Sequence, residues 1–253
     1  MQFPVSLYIG NQQILLHAVT EFAAYFVAFR YFLFLRKKSS DSISTNNRTW
    51  ILIGAILGAV LGSRIVGGLE DPGQLKMADN FWLYFYQNKT VLGGFLGGVW
   101  GVEAIKIIIG EKNSSGDLFT YPMILALIIG RIGCFCMGIY EETYGTVTRL
   151  FTGMNLGDGK LRHPVTLYEI LFLLLLWIGL AQAEKKYELA NGLRFKLFMM
   201  AYCCYRFLQE FIKPHYTLSI GLSTIQLTAL VGLLYYAGWY FVNKQLYLIT
   251  RKP

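Results

Sequence analysis

The chain has 253 residues, 55% of them hydrophobic and 16% aromatic against 15% charged, with a formal net charge of +8 and a mean hydropathy of +0.43. A soluble domain carries about 25% charged residues, so the composition excludes one. It also excludes a disordered chain and a nucleic-acid binder, because the positive charge accompanies long apolar runs and forms no basic patch on a polar scaffold.

What remains is a basic, polytopic integral membrane protein, read as a single membrane-embedded domain over 1–253. Met1 to Gly10 lacks the basic region and small-residue cleavage site of a signal peptide, so the first apolar segment is expected to stay in the membrane. A bilayer core takes about 20 mostly apolar residues per helix. Seven segments meet this: 14–35, 50–69, 91–110, 118–137, 166–183, 194–213 and 222–242. They are continuous and do not alternate with period two, which predicts an all-α fold and not a β-barrel.

The first segment opens near His17, read as an interfacial histidine, and carries Arg30 near its far end. In the second and third segments Gly54, Gly58 and Gly62, then Gly93, Gly97 and Gly101, recur every four residues. Such spacing strips one helix face of side chains and predicts a tight helix–helix contact, with a glycine-lined lipid groove as the alternative. Lys106 has Glu103 three residues away on its face and can reach the interface.

The fourth segment carries Arg131, Cys134 and Cys136, and the sixth carries Cys203, Cys204 and Arg206. These cysteines lie in apolar surroundings, where thiols act as small hydrophobes, and no Cys/His spacing predicts a zinc site or other metal. No cofactor is expected. The long loops, about 70–90 and 138–165, hold Tyr140, Glu141, Glu142, Tyr144, Arg162 and His163; the two glutamates read as a solvated loop face. His215 lies beside Lys213 and Pro214 in a short loop and reads as solvated.

Loop cations set the orientation. With the N-terminus outside, twelve lie inside (Arg36, Lys37, Lys38, Arg48, Lys112, Lys185, Lys186, Arg194, Lys196, Lys244, Arg251, Lys252) and six outside (Lys76, Lys89, Arg149, Lys160, Arg162, Lys213). The prediction is N-out and C-in. Arg64, Arg131 and Arg206 then fall in the outer half of three different helices, each at a cost of about 2.5–3.5 kcal/mol at a helix centre. Glu169 opens the fifth segment at the same depth, and Glu210 lies one turn from Arg206. Guanidiniums donate bidentately to phosphate and stay protonated, so the cluster suits a lipid phosphodiester entering from the outer leaflet. A structural Arg206–Glu210 ion pair is the competing reading.

Three stretches carry a family resemblance: Gly130-Arg131-Ile132-Gly133-Cys134-Phe135-Cys136-Met137-Gly138, His163-Pro164-Val165-Thr166-Leu167-Tyr168-Glu169 and Arg206-Phe207-Leu208-Gln209-Glu210-Phe211. With the glycine-rich Leu92 to Gly98 and with Gly221 to Gln226, their order resembles the prolipoprotein diacylglyceryl transferase family over about 50–240. The resemblance implies a seven-helix, multi-pass enzyme of the bacterial cytoplasmic (inner) membrane, its active site towards the outer leaflet. Such an enzyme transfers the diacylglyceryl group of phosphatidylglycerol to the thiol of a lipobox cysteine in a prolipoprotein signal peptide and releases glycerol phosphate.

By the same resemblance Arg131 is the phosphatidylglycerol-binding arginine, and Glu169, Arg206 and Glu210 fall in essential motifs and are read as catalytic; Arg64, from its depth, is read on the substrate with Gly138, Tyr168 and Gln226. Members usually carry His directly before the glycine pair of the third helix, where this chain has Leu92; Thr166 replaces a Gln, Cys134 and Met137 stand in an Asn-rich stretch, and Ile139 replaces an acidic residue. His163 is then the histidine placed to accept a thiol proton. Two other readings stand beside this one: a same-fold transferase with a different acceptor, and a non-catalytic lipid-binding or transport protein.

Overall fold

The computed structural model describes residues 2–39, 41–243 and 250–251; Lys244 and Lys252, two of the cations counted inside, lie outside them. The chain opens on a short antiparallel hairpin, β1 (Ser6–Ile9) with β2 (Gln12–Leu15), paired from Ser6↔Leu15 to Ile9↔Gln12. Helices α1 (Leu16–Lys38) and α2 (Thr45–Gly68) follow. Between them Asp41 takes the guanidiniums of Arg36 and the buried Arg48, so Arg48 is a structural ion-pair residue and no free loop cation.

The 70–90 loop folds into two short helices, α3 (Pro72–Met77) and α4 (Phe81–Gln87), started by the side chains of Asp71 and Asn80. Helix α5 (Val91–Ile109) is capped by Thr90 and ends on Gly110 at φ +68°, a left-handed conformation that glycine adopts without strain. Helix α6 (Asp117–Met137) runs into a 3₁₀ turn, Gly138–Tyr140. The 138–165 loop then carries a two-residue ribbon, β3 (Met154–Asn155) with β4 (Leu161–Arg162). Helix α7 (Val165–Lys186) leads to β5 (Tyr187–Glu188), helix α8 (Leu193–Gln209), a 3₁₀ turn at Glu210–Ile212 and helix α9 (Thr224–Asn243). Strand β6 (Thr250–Arg251) pairs with β5.

Of the seven expected spans, five described helices are long and apolar enough to cross a membrane: α1, α2, α5, α6 with its following turn, and α7. Helix α8 is the main departure. It has 17 residues, among them Arg194, Lys196 and Arg206, and the 194–213 segment breaks into a 3₁₀ turn from Glu210. The described apolar stretch of α9, Thr224–Gly238, is also short.

Helix α1 buries only Ala24 and Phe32, while Phe22, Tyr25, Phe26 and Phe29 face outward; Ile56, Leu57, Val60 and Leu61 do the same on α2. An outward apolar belt of this extent is what lipid, not water, solvates. The core instead gathers around α8, where Phe198 and Tyr202 have no exposed surface and join Leu92 from α5, Ile124 from α6, Leu173 from α7 and Ile225 from α9.

The glycine stripes meet as predicted. A Cβ on Gly58 would collide with the backbone carbonyl of Gly97, and one on Gly97 with that of Gly58, so α2 and α5 touch backbone to backbone.

Candidate anion-binding site

Three helices bring the site together. Helix α6 supplies Arg131 from its last two turns, α7 supplies Glu169 from its first, and α8 supplies Tyr202, Arg206 and Gln209, spaced so that they share one face. All five are buried, Glu169 at 1% exposure. Glu169 Oε2 lies 2.9 Å from Arg131 Nε and 3.4 Å from Arg206 Nη1, while Glu169 Oε1 accepts from the Tyr202 hydroxyl at 2.8 Å. A single carboxylate therefore holds two guanidiniums. Gln209 fixes Arg206 from the other side, accepting from Nη1 at 2.9 Å, and its own amide donates to the Val165 carbonyl and the Tyr205 hydroxyl.

Arg131, Glu169, Arg206 and Gln209 line a narrow, partly open cleft with a cavity volume of about 10 Å³, completed by Thr143, Val165, Thr166 and Lys213. Two guanidiniums against one carboxylate leave it positive whatever the state of Lys213. That amine sits beyond the helical end of α8, where burial, and then the Arg206 guanidinium, push its pKa below the usual lysine range. Arg206 Nε is buried with no hydrogen-bond partner among the described residues, a donor still to be satisfied.

Arg131, Arg206 and Glu169 thus converge, and Arg64 does not. Its guanidinium donates to the Tyr86 carbonyl and stacks over that ring at 4.9 Å, held by the segment around α4. Glu210, fully buried, accepts from Ser223 Oγ at 3.3 Å and makes no ion pair with Arg206, whose carboxylate partner is Glu169. Gln226 completes a reciprocal cap on α9: its Oε1 accepts from Ser223 N at 2.9 Å and its N–H donates to Ser223 Oγ at 3.1 Å. Gly138 sits at φ +61° with the Leu156 carbonyl and Phe3 where a Cβ would go, which accounts for a glycine there on backbone grounds.

His163 is partly buried and does not line the cleft; its Nδ1 is 3.4 Å from the Tyr168 hydroxyl, which is 2.6 Å from Thr152 Oγ1. Two loop readings are corrected. Glu141 is no solvated face but lies 3.4 Å from His17 Nδ1 and 3.7 Å from Cys134 Sγ, while Glu142 is exposed. His215 is tied down through Nδ1 to the Lys213 carbonyl at 2.9 Å. Sequence reasoning missed Tyr202, Gln209 and Lys213; the first two were readable from their i, i+4, i+7 spacing around Arg206.

Leu92 has no exposed surface and belongs to the apolar core, so α5 contributes no titratable group at that position.

Comparison with known proteins supplies the context. A model of the family described as prolipoprotein diacylglyceryl transferase matches residues 4–242. A protein of Wolbachia pipientis subsp. Culex pipiens named phosphatidylglycerol–prolipoprotein diacylglyceryl transferase is 32% identical over 238 residues, 84% of this chain and 86% of the relative. Proteins of the same name from Nocardia farcinica and Campylobacter hominis are 31% and 29% identical, covering 64% and 70% of this chain. The chain spans 37% and 65% of the length of those two relatives.

Proposed function

The chain belongs to the prolipoprotein diacylglyceryl transferase family, and we propose that it transfers the diacylglyceryl group of phosphatidylglycerol to the lipobox cysteine thiol of a prolipoprotein. The thiol sulfur bonds to the glycerol carbon that carries the phosphate, and the carbon–oxygen bond to that phosphate breaks. Glycerol phosphate leaves with the bonding pair, and the thiol proton passes to a base. The observation that carries this reading is the Arg131–Glu169–Arg206 constellation: two buried guanidiniums on one carboxylate oxygen, with Arg206 Nε unpartnered, at the wall of a cleft.

A phosphodiester seated there meets positive charge that grows in value as charge develops on the leaving phosphate. The resting cleft, with a cavity volume of about 10 Å³, is narrow, so in this reading a phosphate enters by displacing side chains at its mouth. The acyl chains stay in lipid against the exposed apolar faces. Family membership supports a bacterial inner membrane, and the count of loop cations supports an N-terminus and cleft on its outer side.

His163 takes the thiol proton in this reading. Its Nδ1 stands 3.4 Å from the Tyr168 hydroxyl, a contact that orients the ring and leaves Nε2 as the nitrogen for the thiol proton in this reading. The cleft chemistry and the relatives' names lend no support to a different acceptor or to lipid transport. The test is reconstitution: purified chain in phosphatidylglycerol liposomes with a lipobox peptide, read by mass. Wild type yields a thioether-linked diacylglyceryl adduct that Arg131→Ala abolishes; a well-folded wild type that forms none refutes the reading.

A further inference from the structure

A second cluster of chemically able side chains lies beside the cleft. His17 comes from the first turn of α1, Cys134 from the last turn of α6, and Glu141 directly follows the 3₁₀ turn. One ligand atom from each lies within 4.8 Å of the other two. His17 Nδ1 is 3.4 Å from Glu141 Oε2, and Cys134 Sγ is 3.7 Å from Glu141 Oε1. Around a tetrahedral zinc ion, bonds of about 2.3 Å to sulfur and 2.0–2.1 Å to nitrogen or oxygen set neighbouring ligand atoms about 3.3–3.5 Å apart. Glu141 thus already stands near ligand spacing from both His17 and Cys134, one oxygen towards each, and all three groups lie within the 4.8 Å from which side-chain rotation can close them on one ion.

Hydrogen bonding points the same way. His17 Nδ1 and Glu141 Oε2 are both buried, face each other, and have no hydrogen-bond partner among the described residues. They meet as an ion pair at 3.4 Å without hydrogen-bond alignment, a contact that an ion placed between imidazole and carboxylate can replace. The packing makes room for this approach: Gly133, next to Cys134, has the His17 backbone and Thr20 Oγ1 where a side chain would stand.

We propose that His17, Cys134 and Glu141 bind one divalent cation of the zinc class, tying the start of α1 to the end of α6. Thiolate, imidazole and carboxylate together select zinc over magnesium or calcium, which take oxygen ligands. Binding releases the Cys134 proton, and thiolate plus carboxylate then neutralise the ion. Outer partners are in place on both sides. Glu21 Oε2 lies 3.8 Å from His17 Nε2 and is itself paired with Lys89, an ion-pair contact that a small side-chain movement would turn into the hydrogen bond that orients a metal-bound imidazole. Arg131 Nη1 lies 3.7 Å from Cys134 Sγ, so one sulfur touches both the ion site and an arginine of the phosphate cleft. The site does not depend on the reading of that cleft.

The experiment uses the full chain, purified in detergent and stripped with a chelator, then titrated with Co²⁺ and separately loaded with Zn²⁺. The expected result is one ion per chain after desalting and, with cobalt, a near-ultraviolet thiolate charge-transfer band. Cys134→Ser removes the band and weakens binding at least tenfold, His17→Ala weakens binding comparably, and Cys136→Ser, altering the neighbouring thiol, leaves both unchanged. A wild-type chain that elutes as a folded species yet retains no stoichiometric ion overturns the proposal, as does a band that survives Cys134→Ser. The wild-type result stands even if a variant fails to fold.

Discussion

Replacing Glu169 with glutamine removes one charge and almost no volume. Its Oε1 position can still accept from Tyr202, so the perturbation is confined to the two ion pairs. At an effective dielectric of about 20, unit charges 2.9 Å and 3.4 Å apart attract by about 6 and about 5 kcal/mol. Those gross attractions offset the desolvation of three buried charges, and breaking one partner out of a buried pair costs about 3–5 kcal/mol net. Glu169→Gln therefore lowers stability by an amount of that order. It also leaves two guanidiniums unneutralised beside an open cleft, where an anion can take the place of the carboxylate. The assay is thermal unfolding in detergent with and without added short-chain phosphatidylglycerol. The variant melts lower than wild type in neutral detergent, and the lipid raises its midpoint more than it raises that of wild type. Equal lipid shifts in both proteins, or a variant as stable as wild type without lipid, refute the assignment of the two guanidiniums to a phosphate.

Other sites test the frame around the cleft. Gly97→Leu drives a side chain into the Gly58 carbonyl and separates α2 from α5, costing at least the about 1–3 kcal/mol of ordinary overpacking; folded yield and thermal midpoint report it, and an unchanged midpoint contradicts the backbone contact. Gln226→Ala removes half of a reciprocal cap and costs about 0.5–2 kcal/mol, with thioether formation retained where the protein stays folded; loss of activity at full stability would return Gln226 to the substrate site. Asp158 is held below its ordinary value of 3.8 by the Arg162 guanidinium. Its contribution is fully present above that value and is lost as pH falls through the lower folded one, so Asp158→Asn is less stable than wild type at pH 7 and the two converge in strong acid, as thermal midpoints across pH will show.

The parts of the fold that were legible are those whose signal is local. The Gly54/58/62 and Gly93/97/101 stripes encode a helix face without side chains, and α2 and α5 meet through them. The sixth segment is the one whose span is least supported. Arg194, Lys196 and Arg206 break the run, and the segment stops being helical at Glu210, where the backbone turns towards the cleft. In the site, which helix face each arginine occupies was not readable from position along the helix. Arg64 lies on a helix whose partner faces are taken by α5 and the α4 segment, so a shared depth with Arg131 did not become a shared cleft. Ser223 and Gln226 stand three apart at a helix start, a local capping pattern that explains the pair without a ligand. His17, Cys134 and Glu141 join the first helix to the fourth apolar segment and its loop, and no local spacing announces a contact of that range.

The location of the charge bears on how such a site survives in lipid. Each guanidinium alone would cost about 2.5–3.5 kcal/mol at a helix centre. Here Glu169 neutralises part of two of them, while Tyr202 and Gln209 spend their polar atoms holding that carboxylate and Arg206 in place. The resting site is therefore partly self-compensated, and the remaining positive charge is what a phosphodiester can complete. With Leu92 sealed in the apolar core, proton transfer cannot pass through α5 at that position. In the proposed reaction that role is given to His163, just before α7. The candidate anion site is thus built from three helices, and the proposed proton acceptor stands in the loop that leads into one of them.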